Sequence, residues 1–130
     1  MAVRTVSRMA PSDSQRHHSF DYVELAAPDL AAAKAFYADA FGWSFTDYGP
    51  DYSGIQRPGG DGEIGGLNPA RPAGEGLPLV ILYSDDLDST LDAVRSAGGE
   101  ITEGPFEFPG GRRFHFADPA GNQLAVWTQA

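Results

Sequence analysis

The chain carries one pattern twice. The segment Tyr22-Val23-Glu24-Leu25-Ala26-Ala27-Pro28-Asp29-Leu30 is apolar and strand-like, then reaches an Asp-Leu step that opens a helix. The segment Leu79-Val80-Ile81-Leu82-Tyr83-Ser84-Asp85-Asp86-Leu87 does the same. Asp29 and Asp86 lie 57 positions apart, as do Tyr22 and Leu79. An internal repeat constrains the architecture before any single residue is interpreted, because each copy must form one supersecondary unit.

The units can be spelled out. Residues 20–26 predict a strand. Asp29 is suited to cap a helix, since its carboxylate can accept from the free N–H groups of the first turn. Leu30, Ala33, Phe36, Tyr37, Ala40 and Phe41 then recur at helical spacing, and Gly42 ends the run. Strands are expected over 43–48, 52–57 and 63–68. In the second copy a strand over 79–83 leads to Asp86 and a helix whose stripe is Leu87, Thr90, Leu91, Val94 and Ala97. Gly98-Gly99 stops it, and strands over 100–108, 112–117 and 123–128 follow. Each copy therefore reads β-α-β-β-β, an α+β organisation. Neither copy alone could cover both faces of its sheet, so the two must pair, and two such sheets curl into a cup. Residues 1–18 have no period and are read as a flexible leader. The first module is expected over 19–68, a Pro/Gly-rich linker over 69–77 and the second module over 78–130.

Composition narrows the function classes. At 130 residues the chain suffices for one domain with a real core. A net charge of −9 argues against nucleic acid and anionic membrane surfaces, which both require clustered Lys and Arg. The absence of cysteine removes disulfides, thiolate metal sites and cysteine nucleophiles. No apolar stretch approaches the roughly 20 residues that span a bilayer. No apolar signal-peptide core is evident at the N-terminus, so a cytoplasmic location is expected. High Ala, Gly, Pro and Arg usage points to a GC-rich bacterial source.

The motifs resemble those of the vicinal oxygen chelate superfamily, the glyoxalase, bleomycin-resistance and extradiol-dioxygenase-like proteins. The resemblance rests on Asp29-Leu30-Ala31-Ala32-Ala33-Lys34-Ala35-Phe36-Tyr37 running into Phe41-Gly42-Trp43. It rests also on Asp85-Asp86-Leu87-Asp88 leading to Ala97-Gly98-Gly99, and on Phe116-Ala117-Asp118-Pro119-Ala120-Gly121-Asn122. It implies two tandem βαβββ modules forming a cup-shaped, partly closed mixed sheet. Metal-dependent members place a His or Gln on the first strand of each module and a Glu on the last, converging on a divalent ion. Here the matching positions are Tyr22, Leu79, Ala125 and, in the first module, a position near Gly65. Leu and Ala cannot ligate, Gly has no side chain, and a neutral Tyr is a poor ligand. No metal and no other cofactor is therefore expected, and glyoxalase I chemistry, which needs the metal, is not implied. His17 and His18 are adjacent in the leader, where an extended chain would point them to opposite sides into solvent. Were a divalent ion to bind after all, Glu24, His115 and Glu63 would be the remaining donors.

Strand alternation then identifies what lines the cup. If Tyr22 faces it, so do Phe20 and Glu24; if Ala125 does, so do Gln123 and Trp127. Related proteins touch ligand from the position matching His115, which brings Arg113 to the same face and sends Arg112 outward. Tyr48, Tyr52 and Phe106 are expected at the rim. Such an aromatic pocket with a few polar groups has the constitution of a small-molecule site. A carboxylate at Glu24 on a buried strand is costly unless paired. It is read either as a general base or ligand anchor, or as an ion-pair partner of Arg113. His115 is an acid–base partner, a ligand donor or a satisfied core histidine, and Arg113 either holds a ligand anion or balances Glu24. Three functions stay open: a binding module for a small organic molecule, a metal-independent isomerase- or lyase-like enzyme using Glu24 and His115 for proton transfer, and an interaction domain whose cup is plugged by its own aromatics. The resemblance further implies a homodimer, side by side or with exchanged modules.

Overall fold

A computed structural model describes residues 16–70 and 78–130. Of the leader and linker expected from sequence, residues 1–15 and 71–77 lie outside the described residues. The elements are β1 (Phe20–Ala26), α1 (Leu30–Phe41), β2 (Phe45–Asp47), β3 (Ser53–Gln56), β4 (Glu63–Asn68), β5 (Leu79–Tyr83), α2 (Leu87–Ser96), β6 (Glu100–Phe108), β7 (Gly111–Ala117) and β8 (Gln123–Gln129). All eight strands form one open mixed sheet in the order β2-β3-β4-β1-β5-β8-β7-β6. This is the α+β arrangement of paired βαβββ units that the repeat implies.

The repeat and the sheet register coincide. Val23 sits opposite Val80 across the antiparallel β1–β5 seam, and these residues are separated by the repeat interval. On either side, β1 pairs in parallel with β4 and β5 pairs in parallel with β8. Glu24 is level with Gly66, and Ile81 with Ala125. The first-module counterpart of Ala125 is thus Gly66 rather than Gly65, because the connections before the last strand differ in length between copies.

Both helices pack on one side of the sheet. Asp29 caps α1 by accepting from the Ala32 N–H at 3.0 Å, and Gly42 closes it in the left-handed region at φ 73°. Leu30, Ala33 and Tyr37 press on Ala27, Ile55 and Leu67, and Trp43 joins them, its ring stacked on Tyr37 at 4.6 Å. Phe36 and Phe41 do not share that stripe and stand in solvent at 58% and 64% exposure. The helix turns only the Leu30–Ala33–Tyr37 line toward the sheet. Asp86 caps α2 in the same way, through the Ser89 N–H. Leu87 and Leu91 bury against Phe114 and Val126, with Val94 and Phe116 around them.

The other face of the sheet carries no helix and is the inside of the cup. Since Phe114 belongs to the helix side, its neighbours Arg113 and His115 belong to the cup. Phe114 is fully buried in the second-module core. Phe114→Ala should cost about 3–5 kcal/mol, as deletion of a buried Phe side chain does. Urea unfolding followed by circular dichroism should read this as a midpoint shift with unchanged slope.

Candidate functional site

The centre of the cup is a buried carboxylate. Glu24 is 2% exposed, level with Gly66 on one side and Leu79 on the other. An ion taken out of water must recover its hydration from the protein. Glu24 does so through two hydrogen bonds, from the Tyr52 hydroxyl at 3.1 Å and the Asn68 side-chain amide at 3.1 Å, and through an ion pair with the Arg113 guanidinium at 3.7 Å. The ion pair weighed from sequence is thus present. Arg113 also lies over the Phe106 and Phe108 rings at 5.5 and 5.9 Å, and its Nε has no hydrogen-bond partner among the described residues.

Tyrosines extend this cluster across the first module. Tyr22 and Tyr52 share a 2.8 Å hydroxyl contact, Tyr22 donates to Glu63 at 3.4 Å, and Tyr48 donates to the other oxygen of Glu63. Gly66 makes room for this. A Cβ at that position would overlap the Tyr52 hydroxyl and stand 2.8 Å from that of Tyr22. Tyr52, expected at the rim, therefore reaches the floor, whereas Tyr48 is exposed at the edge. Burial, with the nearby Glu24 and Glu63 charges, holds the Tyr22 hydroxyl well above the usual tyrosine range. Burial and the Glu24 charge do the same to Tyr52.

On the second module His115 is 4% exposed, stacks on Phe106 at 5.9 Å and lies 4.0 Å from the Glu103 carboxylate. Gln123 shares the face of Ala125 but is exposed at the end of its strand. Trp127 packs edge-on against Tyr83 at 5.1 Å and donates its indole N–H to Asp21 at 2.8 Å.

Two expectations need correction. Phe20 does not enter the cup: a register shift between Phe20 and Tyr22 pairs it with Leu82, and it is 78% exposed. Asp21 is the extra residue of that bulge and meets Trp127 instead. His17 and His18 do not diverge into solvent either. His18 has φ 63°, which folds the chain back and stacks the two rings at 3.7 Å. His17 Nδ1 accepts from the Asp85 N–H and His18 Nε2 meets the Thr90 hydroxyl. Asp21 and Asn68 escaped the sequence reading. Asn68 was findable from the repeat, which sets β4 beside β1; the bulge behind Asp21 leaves no sequence signal.

The positions that the family resemblance assigns to a divalent ion are Tyr22, Leu79, Ala125 and, by the sheet register, Gly66. Only Tyr22 has a side-chain donor atom, and that hydroxyl is engaged with Tyr52 and Glu63. Nor does any group of three or more His, Cys, Asp or Glu side chains converge among the described residues. These residues do not fit the ion.

The raised tyrosines make stability sensitive to base. A hydroxyl whose folded pKa lies above its unfolded value of about 10 stabilises fully below that pH, and the contribution falls as pH rises beyond it. Urea midpoints should therefore drop between pH 8 and pH 11. Tyr52→Phe should flatten that drop while costing about 2 kcal/mol at pH 7, the worth of a hydrogen bond to a charged group.

Comparison with known proteins places this geometry. The family model for the Glyoxalase/Bleomycin resistance protein/Dioxygenase superfamily matches residues 19–126. The anthracycline biosynthesis protein DnrV of Streptomyces peucetius is 33% identical over 126 residues, covering 83% of this chain and 46% of DnrV. The chain spans about half the length of the curated relatives it matches. The Mn(II)-bound glyoxalase of Novosphingobium aromaticivorans superposes with a TM-score of 0.66 at 26% identity, covering 87% of this chain and 39% of that one. Methylmalonyl-CoA epimerase of Mycobacterium tuberculosis superposes at 0.67 with 16% identity, covering 95% and 94% of the two chains, a likeness of fold alone. With most of its length matched and its topology shared, the chain belongs to the Glyoxalase/Bleomycin resistance protein/Dioxygenase superfamily.

Proposed function

We propose that the cup binds a small organic molecule without a metal ion. The observation that carries this reading is the makeup of the helix-free face. Phe106, Trp127 and the tyrosines 22, 48 and 52 surround the buried Glu24–Arg113 pair, while the positions for a divalent ion hold residues that do not fit one. Tyr22 and Tyr52 fill the first-module floor over Gly66, so the ligand lies above them against Phe106, Arg113 and Trp127. The Arg113 side chain, 16% exposed, supplies guanidinium N–H donors for a ligand acceptor there. Kinship with an anthracycline biosynthesis protein favours a polycyclic or otherwise largely apolar ligand. A cytoplasmic location and a bacterial source belong to the same proposal.

The burial of both Glu24 and His115 on one face favours a second reading, proton transfer in an isomerase- or lyase-like reaction. The partners of Glu24 weigh against it, because each carboxylate oxygen already accepts a hydrogen bond and Arg113 pairs with the group. Native mass spectrometry of protein purified without chelator decides between these readings. A metal-free mass carrying an organic adduct, with adduct affinity at least tenfold weaker in Arg113→Met, is the expected result. A stoichiometric divalent ion would overturn the proposal. Turnover of the identified adduct that vanishes in Glu24→Gln at unchanged affinity would establish the enzyme instead.

The exposed Phe36 and Phe41 on α1 also favour association of two copies. Sedimentation should read a homodimer for the native chain and a monomer for the double variant Phe36→Ser/Phe41→Ser; a monomeric native chain would refute this.

A further inference from the structure

At the seam end of the cup, Tyr83 and Trp127 stand nearly at right angles, 76° apart, and form an aromatic corner. Asp21 closes its third side, fixed in place by the Trp127 indole N–H at 2.8 Å. The corner is filled by the side chain of Arg16. Its guanidinium lies 3.9 Å from the Tyr83 ring centre and 5.2 Å from that of Trp127. Nε and Nη2 reach the two oxygens of Asp21 at 2.9 and 3.3 Å. Two ring faces and a bidentate carboxylate are what a planar cation requires.

The walls and the occupant lie in different parts of the chain. Asp21 and Tyr83 lie within the span that matches the family, and Trp127 adjoins it, whereas Arg16 precedes it. Backbone contacts of the preceding segment hold Arg16 in reach: the His18 N–H donates to the Tyr83 carbonyl at 2.6 Å, and the Ser19 hydroxyl donates to the Arg16 carbonyl at 2.6 Å. Asp21 also has a partner other than Arg16, since the Trp127 indole N–H donates to it. Phe108 lies 6.1 Å from Trp127 and continues the aromatic surface toward Arg113 and Phe106.

We infer that Asp21, Tyr83 and Trp127 form a recognition site for the guanidinium or amidinium group of an organic cation, and that Arg16 is its built-in competitor. This rests on the cup-binding reading and names a chemical feature of its ligand: a planar cation joined to an apolar body that runs over Phe108. Arg16 acts as a plug, so a ligand must outcompete a group tethered at high effective concentration.

The test is titration of the native chain and of Arg16→Ala with n-butylguanidinium, following the Trp127 indole resonance by NMR. The neutral isostere n-butylurea is the control. Arg16→Ala should bind the cation at least tenfold more tightly than the native chain, and n-butylurea at least tenfold more weakly than the cation. Adding Asp21→Asn to Arg16→Ala should abolish the gain, with circular dichroism confirming that the double variant is folded. Equal affinity of the native chain and Arg16→Ala, equal binding of n-butylurea, or indifference to Asp21→Asn in the folded double variant would each overturn the inference. The probe is too small to reach the Glu24–Tyr52 cluster. Its failure would therefore leave the cup reading standing, whereas a cup without adducts would leave this corner measurable.

Discussion

Everything in this molecule is organised about the antiparallel seam between β1 and β5. Each module has a helix for one sheet face only and a β1 or β5 edge that would otherwise be open. Pairing Val23 with Val80 removes both edges at once and makes the sheet continuous from β2 to β6. Because the two strands run antiparallel across a repeat, equivalent residues of the modules are brought together near one point. Tyr22 and Glu24 thereby lie beside Ile81 and Leu79 at the middle of the helix-free face. The same seam carries Tyr83 to the end where Arg16 and Trp127 meet it.

Glu24 shows how that centre is kept polar without exposure. A carboxylate 2% exposed would be strongly destabilising alone, but Asn68 from β4, Arg113 from β7 and Tyr52 from the turn before β3 approach it from three directions. Its partners are in turn fixed: Tyr52 by Tyr22, and Arg113 by the aromatic rings of β6. The network spans both modules, so it ties them together as well as shaping the cup. Gly66 is the small residue on which it depends, since a Cβ there would overlap the Tyr52 hydroxyl and crowd that of Tyr22.

Much of the fold was legible because it follows from local rules. The Asp caps, the three-and-four spacing of α2 and the 57-residue interval are properties of neighbours in sequence, and they put elements where the structure has them. The α1 stripe was legible only in part. Phe36 and Phe41 have the right spacing for an apolar face, yet the sheet beneath α1 meets the Leu30–Tyr37 line instead. Alternation likewise put Tyr22, Glu24, Arg113, His115 and Trp127 on one face, but it failed at Phe20, where one extra residue in β1 inverts the phase.

The sequence by itself determined the paired βαβββ order and the polar residues that one sheet face would carry. These depend on residue type and period, which a linear chain displays directly. Only the tertiary structure decided which of those groups meet. It set Tyr52 and Asn68 on Glu24, turned Asp21 inward through a bulge, and folded Arg16 onto Tyr83 and Trp127. Such contacts join residues far apart in the chain, and they depend on strand register and side-chain length rather than on local pattern. A period of two states the face a residue occupies; the partner across the cup is settled by packing.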